Sequence, residues 1–500
     1  MQNVEYISKI KNRKSKEMKR IATLMIVLIG MCGIGFAQGD YEAFTFSQAD
    51  YLGTARFMGA GGAFGATGGD FSAVSTNPAS IGLYKRHEVS FTPMQLLFGY
   101  SDTYYNQQKA SAQNFKYTVP QCGIVLANTI HRDNGWKSWQ FGFGYNRIMD
   151  FNSSYRANAQ VMNTIGNEIA MHANGTDYNN LTGDGYLAWM GWMMDTVPGY
   201  HNLYQALYGG HDINQKATVV RSGAINEMTI TFGGNYNDKF FVGATLGFPF
   251  IDFREKTNYY EQPADAYDIG NVTEYALYTQ QRNSGAGVNL KLGVIYQPAE
   301  FVRLGLGFHT PTYYWNIKDY FYRELYTEYV NIPNLPNSRF NYENRNNFTL
   351  TTPLKFNASA SFLIKKRAFI AAEYEFENYS MASLYNDNYD YSNENEMIKM
   401  KYGISHNLRV GAEVNITQGF SLRAGYRLKT SPYKMHETTY DGTAHFISAG
   451  VGFRGKFFFC DLAYMLRMSK DSYWLYDPVG EPCRVKTNTH YATATIGWKF

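Results

Sequence analysis

Four cysteines in 500 residues are too few and too scattered for a disulfide framework. Cys32 lies in the N-terminal apolar segment, Cys122 and Cys460 fall in expected strands as small apolar residues, and Cys483 is expected in a loop as a free thiol. Beyond residue 34 no apolar run is long enough for a helix to cross a bilayer, which excludes a bundle of membrane helices. The ten histidines stand singly, with no H-E-x-x-H, C-x-x-C or G-x-S-x-G pattern, so no metal, redox or nucleophile-elbow site is expected. The abundant Asp and Glu of the connections read as solvated faces. The chain is therefore expected to be no enzyme and to need no cofactor. A strong excess of one charge is also missing. Of 46 basic and 42 acidic residues, seven and two lie within residues 1–37, so the remainder is close to neutral and offers no bulk basic surface for nucleic acid.

What is present points to export. Lys9, Lys11, Arg13, Lys14, Lys16, Lys19 and Arg20 precede an apolar run, Ile21 to Ile34, and then Gly35-Phe36-Ala37, the pattern of a secretory signal peptide cleaved before Gln38. Met18 offers a second possible start. A lipidated Cys32 is opposed by Met31, since that cleavage favours a small residue before the cysteine. No composition break or Pro/Ser-rich linker divides residues 85–500. A single exported domain with 17% aromatics and 46 glycines, lacking spanning helices, fits a transmembrane β-barrel with aromatic girdles.

Strand-like segments recur fourteen times, at 87–98, 115–128, 138–151, 225–236, 240–253, 273–296, 301–317, 347–364, 368–378, 405–415, 420–429, 444–453, 457–468 and 488–500. Gly99 to Asn114 reads as a polar connection, and Asn237-Asp238-Lys239 as a tight turn. Short connections alternate with long ones, which predicts a 14-stranded antiparallel barrel with short turns toward the periplasm and long loops outside. In the last segment Ala492, Ala494, Ile496, Trp498 and Phe500 share one face, and Thr493, Thr495 and Lys499 the other. The first face is expected to meet lipid. Pro120 and Pro249 each remove a ladder donor and could mark bulges.

Ahead of the strands, Tyr51 to Leu83 reads YLGTARFMGAGGAFGATGGDFSAVSTNPASIGL. Its glycines, Gly61 and Gly62 among them, allow tight turning and close backbone packing, as an internal plug requires. A phosphate-cradling loop is the rival reading, but no lysine occurs between Thr54 and Tyr84 and the third glycine of G-x-G-x-x-G falls on Phe64. The expected organisation is a signal peptide over 1–37, a plug over 38–85 and a barrel over 86–500, with a long, partly helical outer loop at about 152–224.

The run GTARxMGxGGAF followed by STNPASIG resembles the N-terminal hatch of the FadL/TodX family of outer-membrane transporters for long-chain fatty acids and hydrophobic compounds. The hatch motif falls on Asn77, Pro78 and Ala79, and the final Trp498 and Phe500 resemble the signal read by the barrel-insertion machinery. The resemblance implies a plugged barrel in the outer membrane of a Gram-negative bacterium, expected to be a monomer, passing a hydrophobic small molecule passively. It also implies release through a lateral opening in the wall, and a low-affinity apolar site on the outer loops.

Within the long loop, Leu187, Trp189, Met190, Trp192, Met193 and Met194 concentrate apolar surface, either as the loop's own core or as a groove that captures ligand. Asp195 and Pro198 are expected to end a first helix, with a second over His201 to Tyr208. A fatty-acid carboxylate would need an inward cation, for which Arg282, Lys291 and Arg423 are candidates. Two other functions stay open: capture of haem, with His201 and His211 flanking the cluster as candidate ligands, and an adhesive barrel whose outer loops bind a partner.

Overall fold

The computed structural model describes residues 38–130, 132–264, 272–329, 338–365, 367–434, 442–476 and 482–500. The expected signal peptide, residues 1–37, and the turn residues His131 and Lys366 lie outside these. Fourteen strands form one closed antiparallel barrel. They are β1 (Glu88–Tyr105), β2 (Gln108–Thr118 and Gln121–Thr129), β3 (Trp136–Asp150 and Ser153–Val161), β4 (Ile213–Tyr236), β5 (Phe240–Pro263), β6 (Val272–Ala299) and β7 (Val302–His309 and Tyr313–Tyr329). The ring continues through β8 (Ser338–Thr351 and Lys355–Ile364), β9 (Ala368–Asn378), β10 (Ile404–Asn415), β11 (Phe420–Lys429), β12 (Ala444–Arg454), β13 (Phe458–Tyr473) and β14 (Cys483–Lys499). It closes where β1 pairs with β14, Val89 opposite Trp498. Among the described residues no helix is long and apolar enough to cross a membrane.

Side-chain alternation explains the closure. In β14, Thr493 and Thr495 are buried inside while Ala492 and Trp498 face outward, so the barrel wears its apolar residues on the outside. The same inversion recurs around the wall, with Leu246, Leu306, Val410, Leu422, Val451 and Leu462 exposed. Such a surface suits lipid and would be costly in water.

Several connections differ from the sequence expectation. Gly99 to Asn114 is no loop: it continues both strands in register up to a two-residue hairpin turn, where Asn106 and Gln107 hold φ of 42° and 63°. Asn tolerates this conformation, and a primed turn matches the strand twist. The outer loop is shorter than 152–224, because β3 runs on to Val161 and β4 begins at Ile213. Cys483 lies in no loop. It opens β14 and is a free thiol, as expected, but a buried one. Pro120 does split β2, whereas Pro249 stands opposite Glu227 inside an unbroken β5 register.

Candidate functional site

The lumen is occupied by the chain's own N-terminal segment. Helix α1 (Gln38–Ser47), helix α2 (Ala55–Gly59) and two 3-10 turns (Phe71–Ser75 and Pro78–Leu83) pack against the inner wall. Thr54 caps α2 by accepting from Phe57 N, and its hydroxyl donates to Asp70 at 2.8 Å, tying the start of the segment to its middle. Gly61 and Gly62 adopt φ of 63° and 74°, where a side chain is strained. The approach is closest against the wall's own glycines: a Cβ on Gly425 would lie 2.1 Å from Gly61 N, and one on Gly411 2.1 Å from Ala60 O.

Asn77, Pro78 and Ala79 sit deep between this segment and β5–β6. Asn77 Oδ1 accepts from Ala79 N at 3.1 Å, capping the last turn, while Nδ2 donates to Gly65 O at 2.7 Å. A single amide thus joins the glycine-rich half to the end of the segment. It fits because β6 carries Gly293, whose Cβ would stand 2.0 Å from Asn77 Oδ1. Pro78 presses on Gly243 in the same way. The motif builds the segment and leaves no free polar group aimed at a ligand.

Charge holds the rest in place. Arg56 donates from Nε and Nη2 to the two oxygens of Glu413, at 2.8 and 3.0 Å, and from Nη1 to Gly69 O. Glu413 also accepts from Arg423 Nε at 2.6 Å, and Arg423 meets Asp461 at 2.7 Å. Gly65 N donates to Glu373, which Arg409 pairs at 2.5 Å. Bidentate Arg–carboxylate geometry of this kind fixes orientation as well as energy. Arg56 stands inside the hatch-like motif, yet nothing in the sequence marked it as a latch, since its partner is 357 residues away.

The expected carboxylate receptors do not offer a free charge. Arg282 faces outward, half exposed beside Asp252, so its strand register excludes it from the lumen. Lys291 and Arg423 do face inward, but Glu227 neutralises the first and Glu413 and Asp461 the second. Arg427, missed in sequence, is buried in the lumen and donates to the main-chain oxygens of Gly61 and Asp50, with no described carboxylate paired to it and Nη2 unpartnered. Its position on the inward parity of β11 was the available signal. A small cavity of about 40 Å³ lies between Phe46–Tyr51 and the wall, bordered by Glu227, Lys291, His309 and Lys355.

The wall beside that cavity is interrupted. β7 breaks over Thr310-Pro311-Thr312 and β8 over Thr352-Pro353-Leu354, on adjoining strands and at matching register, while Pro249 leaves a ladder gap between β5 and β6. Prolines account for all three, since none can donate.

The outer loop folds as helices α3 (Ile165–Ala173) and α4 (Gly183–Met190) and a hairpin of Met194–Thr196 with Tyr204–Ala206. The expected helix over His201 to Tyr208 is therefore absent, replaced by the short strand Tyr204–Ala206 between a bend and a turn, because Val197-Pro198-Gly199-Tyr200 turns the chain back. Leu187, Met193 and Met194 are buried in the loop's core, Trp189 is partly buried and stacked on Tyr178, and Met190 and Trp192 remain 37% and 57% exposed. The cluster is thus part loop core and part exposed apolar surface. His201 and His211 are both exposed, and no metal-ligating cluster occurs among the described residues.

The sequence matches no protein-family model and no curated protein. Among solved structures, the toluene transporter TodX of P. putida superposes with a TM-score of 0.52 at 13% identity, covering 90% of this chain and 99% of TodX. A FadL homologue of Pseudomonas aeruginosa gives 0.52 at 13% identity over 91% and 100%. The chain thus shares the fold of the FadL-type outer-membrane channels, a closed fourteen-stranded antiparallel barrel.

Proposed function

We propose that this protein is an outer-membrane channel for passive uptake of hydrophobic compounds, with residues 38–85 as the plug. The observation that carries the reading is a barrel of this fold whose lumen is filled by a segment held by discrete latches, above all Arg56–Glu413. The similar toluene transporter and monoaromatic hydrocarbon channel favour an apolar solute. No energy source is needed, since burial of apolar surface contributes about 0.8 kcal/mol per methylene toward entry.

Solute captured at Met190 and Trp192 would pass the plug and leave sideways through the proline-broken wall of β5–β8, next to the cavity. Long-chain fatty acids are the finer assignment, and Arg427 is the residue we assign to their carboxylate. Uptake of labelled toluene and of a labelled long-chain fatty acid into vesicles carrying the purified barrel tests both. Passage of either above protein-free vesicles supports the channel, and loss of the fatty-acid signal alone in Arg427→Gln supports the carboxylate role. No passage of either by a folded barrel overturns the reading.

A further inference from the structure

A second cavity, of about 460 Å³, lies at the short-turn end of the barrel, where the N-terminal segment passes into β1. Gly69 and the linker from Leu83 to Arg86 form one side, and Glu88, Lys499 and the β12–β13 turn at Gly455-Lys456 form the other. The transport reading makes no use of it.

Its charge is one-sided. Glu88 is the single carboxylate on the lining, and Lys499 at 3.2 Å and the Tyr84 hydroxyl at 3.4 Å already engage it. Lys85, Arg86 and Lys456 remain. All three are exposed, and none is paired with a carboxylate among the described residues. Arg86 Nη1 donates to Lys456 O at 3.4 Å, and Lys456 Nζ lies 5.2 Å over the ring of Phe457. A cleft lined by charge of one sign concentrates counter-ions.

The cations stand on fixed backbone. Tyr84 O accepts from Gln140 Nε2 at 2.9 Å and His87 O accepts from Phe500 N at 3.1 Å, so the short linker bearing Lys85 and Arg86 is tied to the wall at both ends. The turn bearing Lys456 is closed by Gly455 N donating to Phe458 O at 2.8 Å. Across the cavity, a Cβ on Gly69 would meet nothing within 4 Å, so this side leaves room. The volume suits a small organic molecule, for which Leu83 and Tyr84 offer apolar contact. The planar fork of an arginine matches two oxygens of a phosphate or carboxylate, and lysines add point charge. Three uncancelled cations favour a dianion such as a phosphomonoester over a single carboxylate. Outside the same rim, Phe457, Trp498 and Phe500 are exposed as an aromatic girdle, which sets the cavity at head-group height.

We propose that this cavity is a binding site for a phosphomonoester head group, carried by a small soluble molecule or by a lipid of the adjoining leaflet. Arg86 takes two of its oxygens, Lys85 and Lys456 supply countercharge, and the organic body lies against Leu83 and Tyr84. The site needs the closed barrel and does not depend on what passes through the lumen.

The test uses the full barrel in detergent, with calorimetric titration of glycerol 3-phosphate and co-purification of phosphatidic acid against diacylglycerol read by native mass spectrometry. Native protein should bind at least one of the two phosphates, and Lys85→Gln/Arg86→Gln/Lys456→Gln should weaken that binding about ten-fold or more. Binding of glycerol 3-phosphate alone assigns a soluble ligand, and retention of phosphatidic acid, alone or as well, assigns the lipid; each supports the site. Lys239→Gln/Lys365→Gln/Arg367→Gln removes the same charge from other short turns and should leave binding unchanged. An equal loss in that control would mean diffuse surface charge and overturns the proposal. So does acetate binding as tightly as glycerol 3-phosphate, or no binding of either phosphate by the folded native barrel. Should the triple variant of the cavity fail to fold, Lys456→Glu alone, on an exposed turn, decides by the same loss or its absence.

Discussion

Arg56 and Glu413 face each other as a two-pronged pair, Nε to Oε2 at 2.8 Å and Nη2 to Oε1 at 3.0 Å, joining the N-terminal segment to β10 across the lumen. Both side chains are largely buried, and Arg423 holds the far side of the same carboxylate. Removing one partner of a buried pair strands the other, so the junction is where loosening the segment should be easiest to detect.

Arg56→Ala should destabilise the folded barrel by about 3 kcal/mol, the lower end for a broken buried pair, because Arg423 still neutralises Glu413. Denaturant unfolding in detergent reads the loss. Liposome swelling with small sugars should show a leak absent from the native protein, and an unchanged swelling rate would count against the gate.

Backbone contact gives a sharper contrast. Gly425→Ala puts a methyl 2.1 Å from Gly61 N, so the segment must shift, whereas a Cβ on Gly69 meets nothing within 4 Å and only its φ of 68° resists. Gly425→Ala should therefore expose the segment to protease, while Gly69→Ala costs about 1 kcal/mol and leaves it protected.

Asn77→Ala removes the cap on the last turn and the bond to Gly65 O together. The expected cost is about 1–2 kcal/mol, with faster hydrogen exchange over residues 61–83 as the local signature. Exchange confined to the barrel strands would show that the amide does not couple the two halves.

The outer loop should separate stability from capture. Leu187→Ala or Met193→Ala should loosen the loop by about 2–5 kcal/mol as buried truncations, seen as lost exchange protection over 165–208. Met190→Ala with Trp192→Ala, on exposed side chains, should leave protection unchanged and weaken binding of a fluorescent fatty acid several-fold.

The strand count, the inward and outward faces and the burial of the glycine-rich segment were legible because each depends on local pattern. Period-two alternation shows in β14 without any partner, and Asn237-Asp238 announces its turn. The ends of β1 and β2 were not legible. Beyond Gly99 the outward residues become polar as the strands leave the apolar band, and polarity there looks like a loop. Cys483 was misplaced for the same reason.

By itself, then, the sequence determined a barrel, its face parity and its N-terminal filling, since hydrophobic periodicity and glycine content act within a few residues of chain. Only the tertiary structure decided which charges cancel. Arg56 meets Glu413, Lys291 meets Glu227 and Arg427 meets no described carboxylate because closure and shear of the ring bring together residues 357 and 64 positions apart, and side-chain type alone carries no information about that register.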